Sequence, residues 1–416
     1  MRKSVVASVK IQTSQIQSIY EKHPYPAAGD TVLTKKRWNL APMEWIMALW
    51  RPEQNLAPER ILVAGCGTGS EAFVLARKFP QATIVAVDFS PRSISIAQSL
   101  RERARAMRNI AFYVGDLANR DLGKITGGTF DFISCHGVLS YSPAPGRVLS
   151  NLRRQLKPDG ALYLGVNGSE HFSIRGRPFL SAFGFDMTEL RDERYLRKIL
   201  KLWDSILDWG RNGGLARKSV GYLAGDLFGP IIHNLSLSNW LHIARQAGLH
   251  FCNSYSCWRT LRSVMEKDCA QLFMPRSRPE ICEMLDFVRP ETFHRLLFTK
   301  KPAWNPPWKS HSALVTCRPM MTNLYSFRPP KRSRSWTALR RVRFKSPALN
   351  TRLDWQMPEW ELEILRQNKS KQTLDSILRD IAAAVPQKLL RQQLYILHQL
   401  LVITLMPAQR PAIISR

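Results

Sequence analysis

The chain has 416 residues, 44% of them hydrophobic, enough for a sizeable core in two domains or in one large domain with additions. Its 61 lysines and arginines against 32 acids give a net charge of +29, which favours anionic partners such as nucleic acid, an anionic membrane surface or acidic proteins but selects none of them. No apolar run is long enough for a membrane span, the N-terminus has neither an apolar run nor a cleavage site, and the seven cysteines form no Cys-x-x-Cys pair, so a secretory leader, a bilayer helix and a disulfide framework are not expected.

In chain order, residues 1–37 are polar and then turn-rich. The prolines of His23-Pro24-Tyr25-Pro26 exclude a mid-helix position, and the expectation is an extended arm or lid carrying Tyr20 and Tyr25. Pro42 to Trp50 reads as a helix whose aromatics pack on the core. Ile61-Leu62-Val63-Ala64 then reads as a buried strand, followed by Gly65, Gly67 and Gly69 at alternate positions and a helix from Ser70 to Phe79. A strand running through glycines into a helix brings free N–H groups and a positive dipole to a ligand. Ala82 to Val87 is a second buried strand. Asp88 ends it, where an acid meets ribose hydroxyls in dinucleotide-binding folds. The Gly-x-Gly-x-Gly spacing is not the pyrophosphate cradle, which disfavours a nicotinamide-dependent oxidoreductase. Ser90-Pro91 opens the next helix. Ile110 to Val114 and Phe130 to Cys135 are further strands, and Leu156 to Gly160 is a helix stop and turn before a strand from Ala161 to Val166. The alternation predicts an α/β domain with a parallel, doubly wound sheet.

The glycine loop, Asp88, Gly115-Asp116-Leu117, Phe130-Asp131 and Leu156-Lys157-Pro158-Asp159-Gly160 occur in that order. With them residues 61–166 resemble the core of the class I S-adenosylmethionine-dependent methyltransferases. The resemblance implies a seven-stranded, Rossmann-like methyltransferase sheet and S-adenosylmethionine as methyl donor. It sets Ala64, Gly65, Cys66, Gly67 and Gly69 against the methionine end of the donor and Asp88 on the ribose. Asp116 and Leu117 then meet the adenine edge, with Phe89 and Leu117 flanking the ring. Many members carry an acid at the end of the first strand; this chain has Ala64 there, which leaves the donor's amino group one partner short.

His136, just past the fourth strand, is directed at the site by topology, as a contact to the donor or acceptor or as a base near neutrality; a packing histidine is the alternative. Tyr20, Tyr25 and Tyr141 are the other acceptor-side candidates, with Asp226 and His233 behind them. No metal-ligand constellation stands out, and His250, Cys252 and Cys257 fit no common zinc spacing.

Residues 168–232 leave the strand–helix rhythm and read as a helical cap inserted over the carboxyl ends of the strands. A helix from Ser238 to Ala247, a strand from Leu249 to Cys257, a helix from Glu280 to Phe287 and a strand from His294 to Thr299 complete a methyltransferase domain expected over 38–301. Residues 301–350 hold eleven basic residues and no acid, with Trp304, Trp308 and Trp336 among prolines; 302–350 reads as a basic linker able to lie on an anionic partner. Residues 351–416 read as a small, mainly helical, winged-helix-like domain suited to protein contact. This layout, with Pro24-Tyr25-Pro26, resembles bacterial protein methyltransferases that carry such a tail. The expected function is methyl transfer to a protein or small-molecule acceptor. The alternative is a catalytically silent S-adenosylmethionine-binding scaffold. Scattered cysteines point to a reducing, cytoplasmic setting.

Overall fold

A computed structural model of the chain describes residues 2–26, 41–52, 57–104, 107–207, 214–265, 270–367, 372–379, 381 and 385–407, with 2–11, 265, 270 and 271 as backbone alone. Part of the expected arm (27–37), its boundary at 37/38 and Cys269 lie outside the described residues. The chain divides into two compact units. One comprises Met1–Leu40, Ala57–Phe251 and Val288–Lys301, and the other Ala41–Leu56, Cys252–Phe287 and Pro302–Arg416.

The first unit opens with helix α1 (Arg2–Lys22), not with the extended arm expected. The prolines act only at its end: the helix stops before His23, and His23 to Pro26 run on outside it. The strands are β1 (Arg60–Ala64), β2 (Thr83–Asp88), β3 (Ile110–Val114), β4 (Phe130–His136), β5 (Leu156–Asn167), β6 (His250–Ser254) and β7 (Phe293–Thr299). They form a seven-stranded sheet in the order β3-β2-β1-β4-β5-β7-β6. Strands β1 to β5 pair in parallel and β7 is antiparallel to β5. This is the doubly wound sheet the alternation predicts. Ile61 to Ala64 and Ile84 to Val87 are buried, as strands covered on both faces must be. Strand β1 lies between β2 and β4, so the strand order reverses there, and a crevice opens above their carboxyl ends.

Helix α2 (Ser70–Lys78) follows the glycine loop. Helix α3 (Pro91–Arg103) is capped by the Ser90 hydroxyl, which accepts the Ser93 N–H at 3.0 Å. Helix α4 (Pro145–Gln155) precedes β5. Strand β5 begins at Leu156, earlier than expected, through a register irregularity opposite Phe130 and Phe132. In the cap region α5 (Ser173–Ala182), α6 (Glu193–Ile206) and α7 (Val220–Leu227) share an apolar cluster that includes Leu180, Leu196, Leu200, Trp203, Leu223 and Phe228.

The second unit corrects two expectations. Residues 302–350 are not a solvated linker. Strand β8 (Arg318–Met321) lies in this stretch, and β9 (Ser326–Phe327), β10 (Leu339–Ser346) and β11 (Thr351–Pro358) form a three-stranded sheet. Strand β8 pairs antiparallel with β12 (Ile403–Met406). In β10 the cations Arg341, Arg343 and Lys345 alternate with Val342, Phe344 and Ser346, which are buried. A period of two hides an apolar face inside a stretch that composition alone paints as charged. Nor is the division at 301 the whole boundary: Ala41–Leu56 and Cys252–Phe287, inside the domain expected over 38–301, belong to the second unit. Trp45, on the helix Met43–Trp50, packs 5.4 Å from Tyr255 and 6.4 Å from Trp258, and the Trp258 indole donates to the Gln399 carbonyl at 3.2 Å. The strand expected to reach Cys257 stops at Ser254, where a helix (Tyr255–Met265) brings these aromatics onto the C-terminal residues. Helices Glu359–Arg366, Leu374–Leu378 and Gln387–Gln399 lie beside the two small sheets.

Candidate active site

Above β1 and β4 the first unit encloses a cavity of about 1420 Å³. The glycine loop forms one wall. Gly65, Gly67 and Gly69 all have positive φ, at 75°, 51° and 88°. Asp88 latches the loop: its Oδ2 accepts the Gly67 N–H at 2.8 Å and its Oδ1 the Ser90 N–H at 3.0 Å. Burial raises the Asp88 carboxyl pKa, and these backbone donors oppose the rise. Cys66 is buried, and burial likewise pushes its thiol up, which suits a packing role. Ala64 is buried at the strand end.

Below the loop lies an acid that sequence reasoning missed. Glu71, in the first turn of α2, lines the cavity and is 6% exposed. Its Oε1 has no hydrogen-bond partner among the described residues. Burial pushes its carboxyl up to about 7, opposed by the Ser134 hydroxyl. The only sequence signal was an acid directly after a glycine turn.

At the far end Asp116 and Leu117 reach the cavity from the loop after β3. Asp116 Oδ1 accepts the Ala118 N–H at 2.8 Å, and the buried Asn151 amide on α4 holds the loop by donating to the Leu117 and Asn119 carbonyls at 2.8 and 2.9 Å. Phe89 is met by α1: the Gln17 amide donates to its carbonyl at 2.8 Å, and the Tyr20 ring lies 5.9 Å from its ring. The Tyr25–Pro26 segment seats on the glycine loop, where the Thr68 N–H reaches the Tyr25 carbonyl at 3.2 Å and the Thr68 hydroxyl the Pro26 carbonyl at 2.8 Å.

The remaining wall is built around Asp226 on α7. The Tyr141 hydroxyl donates to its Oδ1, and the Tyr222 hydroxyl also bonds its carboxylate. Tyr25 lies 6.0 Å from Tyr222, and Phe172 stacks on Tyr222 at 6.0 Å and 16°. From Tyr141 a chain of polar contacts runs through Asn167, Asn234 and Ser173 to His171. Burial holds His171 down to about 4, so this ring is neutral.

His136 lines the cavity but is a poor base. Its ring stacks on Tyr163 at 5.9 Å and lies 5.0 Å from Phe293, and burial together with Arg295 holds its pKa down to about 3. The expected proton acceptor near neutrality is thus a neutral ring. His233 is drawn elsewhere: its Nε2 pairs with the Ser142 carbonyl at 2.9 Å.

A family model described as a methyltransferase domain matches residues 57–170. A malonyl-[acyl-carrier protein] O-methyltransferase of Bacillus anthracis is 32% identical over 215 residues, 50% of this chain and 74% of that protein. The chain belongs to the S-adenosylmethionine-dependent methyltransferases. Other curated relatives match over less of their length. A methyltransferase of the same description from Halalkalibacterium halodurans is 33% identical over 28% of this chain and 41% of its own, and a trans-aconitate 2-methyltransferase of Deinococcus radiodurans is 32% identical over 30% and 46%. The chain thus spans less than half the length of these two. The fold of this chain is also similar to that of PKMT2 from Rickettsia typhi, solved in complex with AdoHcy. That similarity has a TM-score of 0.52 at 16% identity and covers 92% of this chain and 77% of the other. The cavity fits the family's donor in kind, with a glycine loop at positive φ, the Asp88 carboxylate and an orphaned buried carboxyl at Glu71, although the N–H groups of Gly65 to Gly69, expected to be free, each donate within the protein.

Proposed function

We propose that the protein transfers a methyl group from S-adenosylmethionine to an acceptor that enters beside Asp226. The observation that carries this reading is a single cavity lined both by the latched glycine loop and by the Asp226–tyrosine wall. In it Gly65, Cys66 and Gly67 would receive the methionine end, Asp88 the ribose, and Asp116, Leu117 and Phe89 the adenine, with His136 as a neutral wall; Ala64 and Gly69 stand behind this lining and would act by shaping the loop. When bound, the donor supplies an electrophilic methyl on a sulfonium: the acceptor's lone pair forms the new bond as the carbon–sulfur bond breaks and its electron pair stays on sulfur. The chain's own part is orientation and exclusion of water. Tyr20 and Tyr25 cover the loop from the N-terminal side, and Tyr141 and Asp226 bound the acceptor end.

The second unit would add a partner contact. Arg341, Arg343, Lys345 and Arg352 share the outer face of β10 and β11 around Asp354, and this excess of cations supports an anionic partner. The buried cysteines, none of them in a disulfide among the described residues, support a reducing, cytoplasmic setting. No helix among the described residues is long and apolar enough to cross a membrane.

Calorimetry with S-adenosylmethionine and AdoHcy, followed by incubation of a cell extract with methyl-labelled donor, tests the reading. Binding of both nucleosides and label in one acceptor fraction are expected. Absence of binding would overturn the reading, and binding without label in any fraction would leave the silent scaffold.

A further inference from the structure

Resting on that reading, we infer that the acceptor subsite takes an aliphatic amine, received as a cation against Asp226 and the surrounding tyrosine rings, which passes one N–H proton to the Asp226 carboxylate before the freed nitrogen lone pair attacks the methyl. Three features of the wall converge on this chemistry. The first is a carboxylate at the cavity surface whose hydrogen-bond donors are neutral hydroxyls, those of Tyr141 and Tyr222. Two oxygens offer about four lone-pair sites, so two hydroxyls leave room for the N–H groups of a ligand. The second is the set of rings. Tyr20, Tyr25, Tyr141, Tyr222 and Phe172 line the same cavity as Asp226, and the faces of such rings attract cations. Tyr222 already does so: the Lys218 ammonium lies 5.5 Å over its ring. The third is the scarcity of cations around the acid. Lys218 is the cation that acts on Asp226 electrostatically, and its side chain is exposed.

An anionic acceptor fits this wall badly, because it would face a like charge and the negative faces of the rings. A neutral hydroxyl acceptor gains nothing from the carboxylate beyond one hydrogen bond. Burial pushes the Asp226 carboxyl up to about 6 while the two hydroxyls pull it back, so the group is ionised at neutral pH and can serve as counter-ion. The close fit of the neighbouring backbone keeps the cage tight: the Tyr20 hydroxyl stands 3.1 Å from where a Cβ on residue 225 would lie.

The test uses the full-length chain saturated with AdoHcy and three probes of one length: n-butylamine, n-butanol and butyrate. Saturation-transfer NMR at pH 7.5 should show the amine binding at least tenfold more tightly than the other two. Asp226→Asn, which keeps shape and the tyrosine contacts, should lower amine binding at least tenfold and leave AdoHcy affinity within twofold. Nα-acetyl-lysine methylamide and putrescine then separate a side-chain amine from a free one: tighter binding of the first assigns a lysine side chain, and of the second a small polyamine. Label transferred in a cell extract should be stable to base, as N-methyl groups are, whereas a methyl ester is lost. Preference for butyrate or butanol, or a base-labile label, overturns the inference while the methyltransferase reading stands. Failure of AdoHcy itself to bind defeats that reading instead.

Discussion

The carbonyl oxygen of Tyr25 occupies the space that a Cβ on Gly67 would need. The N-terminal segment thus rests on the glycine loop through backbone, and the loop is bare at that position to receive it. Gly67 also holds φ at 51°, where a side chain costs roughly 1–2 kcal/mol. Gly67→Ala should push Tyr25 and Pro26 off the loop and break their contacts with Thr68. AdoHcy affinity is expected to fall at least tenfold, with faster protease cleavage near residue 26 and a melting temperature lowered by only a few degrees. Unchanged cleavage in the variant would refute the seating of Tyr25 on the loop.

Asp88 has a second duty beyond any ligand contact, because it fixes the Gly67 and Ser90 amides. Asp88→Ala removes the acceptor of two backbone donors, each worth about 1–3 kcal/mol when left unpaired in a buried setting. Donor affinity in calorimetry should drop more than tenfold. Asp88→Asn, which keeps one acceptor oxygen, should retain stability better than Asp88→Ala while still losing affinity.

Glu71 makes stability depend on pH in a known direction. Its folded-state carboxyl titrates at about 7 against an ordinary value of 4.5. Between these values the unfolded chain has released the proton and the folded chain still holds it. Stability from this group therefore falls as pH rises from about 4.5 to about 7, and levels off above that. Glu71→Gln removes the dependence. Relative to wild type, the variant should gain about 3 kcal/mol in urea unfolding between pH 4.5 and pH 8. A constant difference across that range would mean Glu71 is ionised in the fold.

A chain ending at Lys301 should fail. Trp45 and Trp258 are both almost fully buried within the second unit, and Trp258 relies on the carbonyl of Gln399. Truncation would expose two indoles and leave a buried donor without its acceptor, so the fragment is expected to aggregate or to bind hydrophobic dyes. A monomeric fragment with native-like tryptophan fluorescence would show that residues 252–287 do not need the C-terminal region.

The glycine-loop half of the cavity was legible in the sequence because strand, loop and helix lie within thirty residues of Arg60, and glycine at positive φ leaves a local signature. The Asp226 half was harder. Tyr141 and Asp226 are 85 positions apart and meet only because α7 is held beside the cavity by α1 and α5. The sequence offered Asp226 as a minor candidate and gave Tyr222 no prominence. Topology directed His136 at the cavity, which it lines, but its neighbours Tyr163, Phe293 and Arg295 come from later strands, and they remove its basicity. The strands of 302–350 were missed because a count of charges overrode the alternation in β10.

The glycines at 221 and 225 set a timetable. One helical turn apart on α7, they admit the Pro24 carbonyl, 2.8 Å from a Cβ position on residue 221, and the Tyr20 hydroxyl. The ribosome makes Tyr20 first, yet its berth emerges some two hundred residues later, about 10–40 s into elongation at ordinary rates. Until then α1 can dock only through its contacts with Phe89 and Arg92. Such sequence-distant closure is slow to form. The nascent chain can pair β1 to β5 with the crevice uncovered, and the crevice gains this roof afterwards, from residues translated before any of those strands.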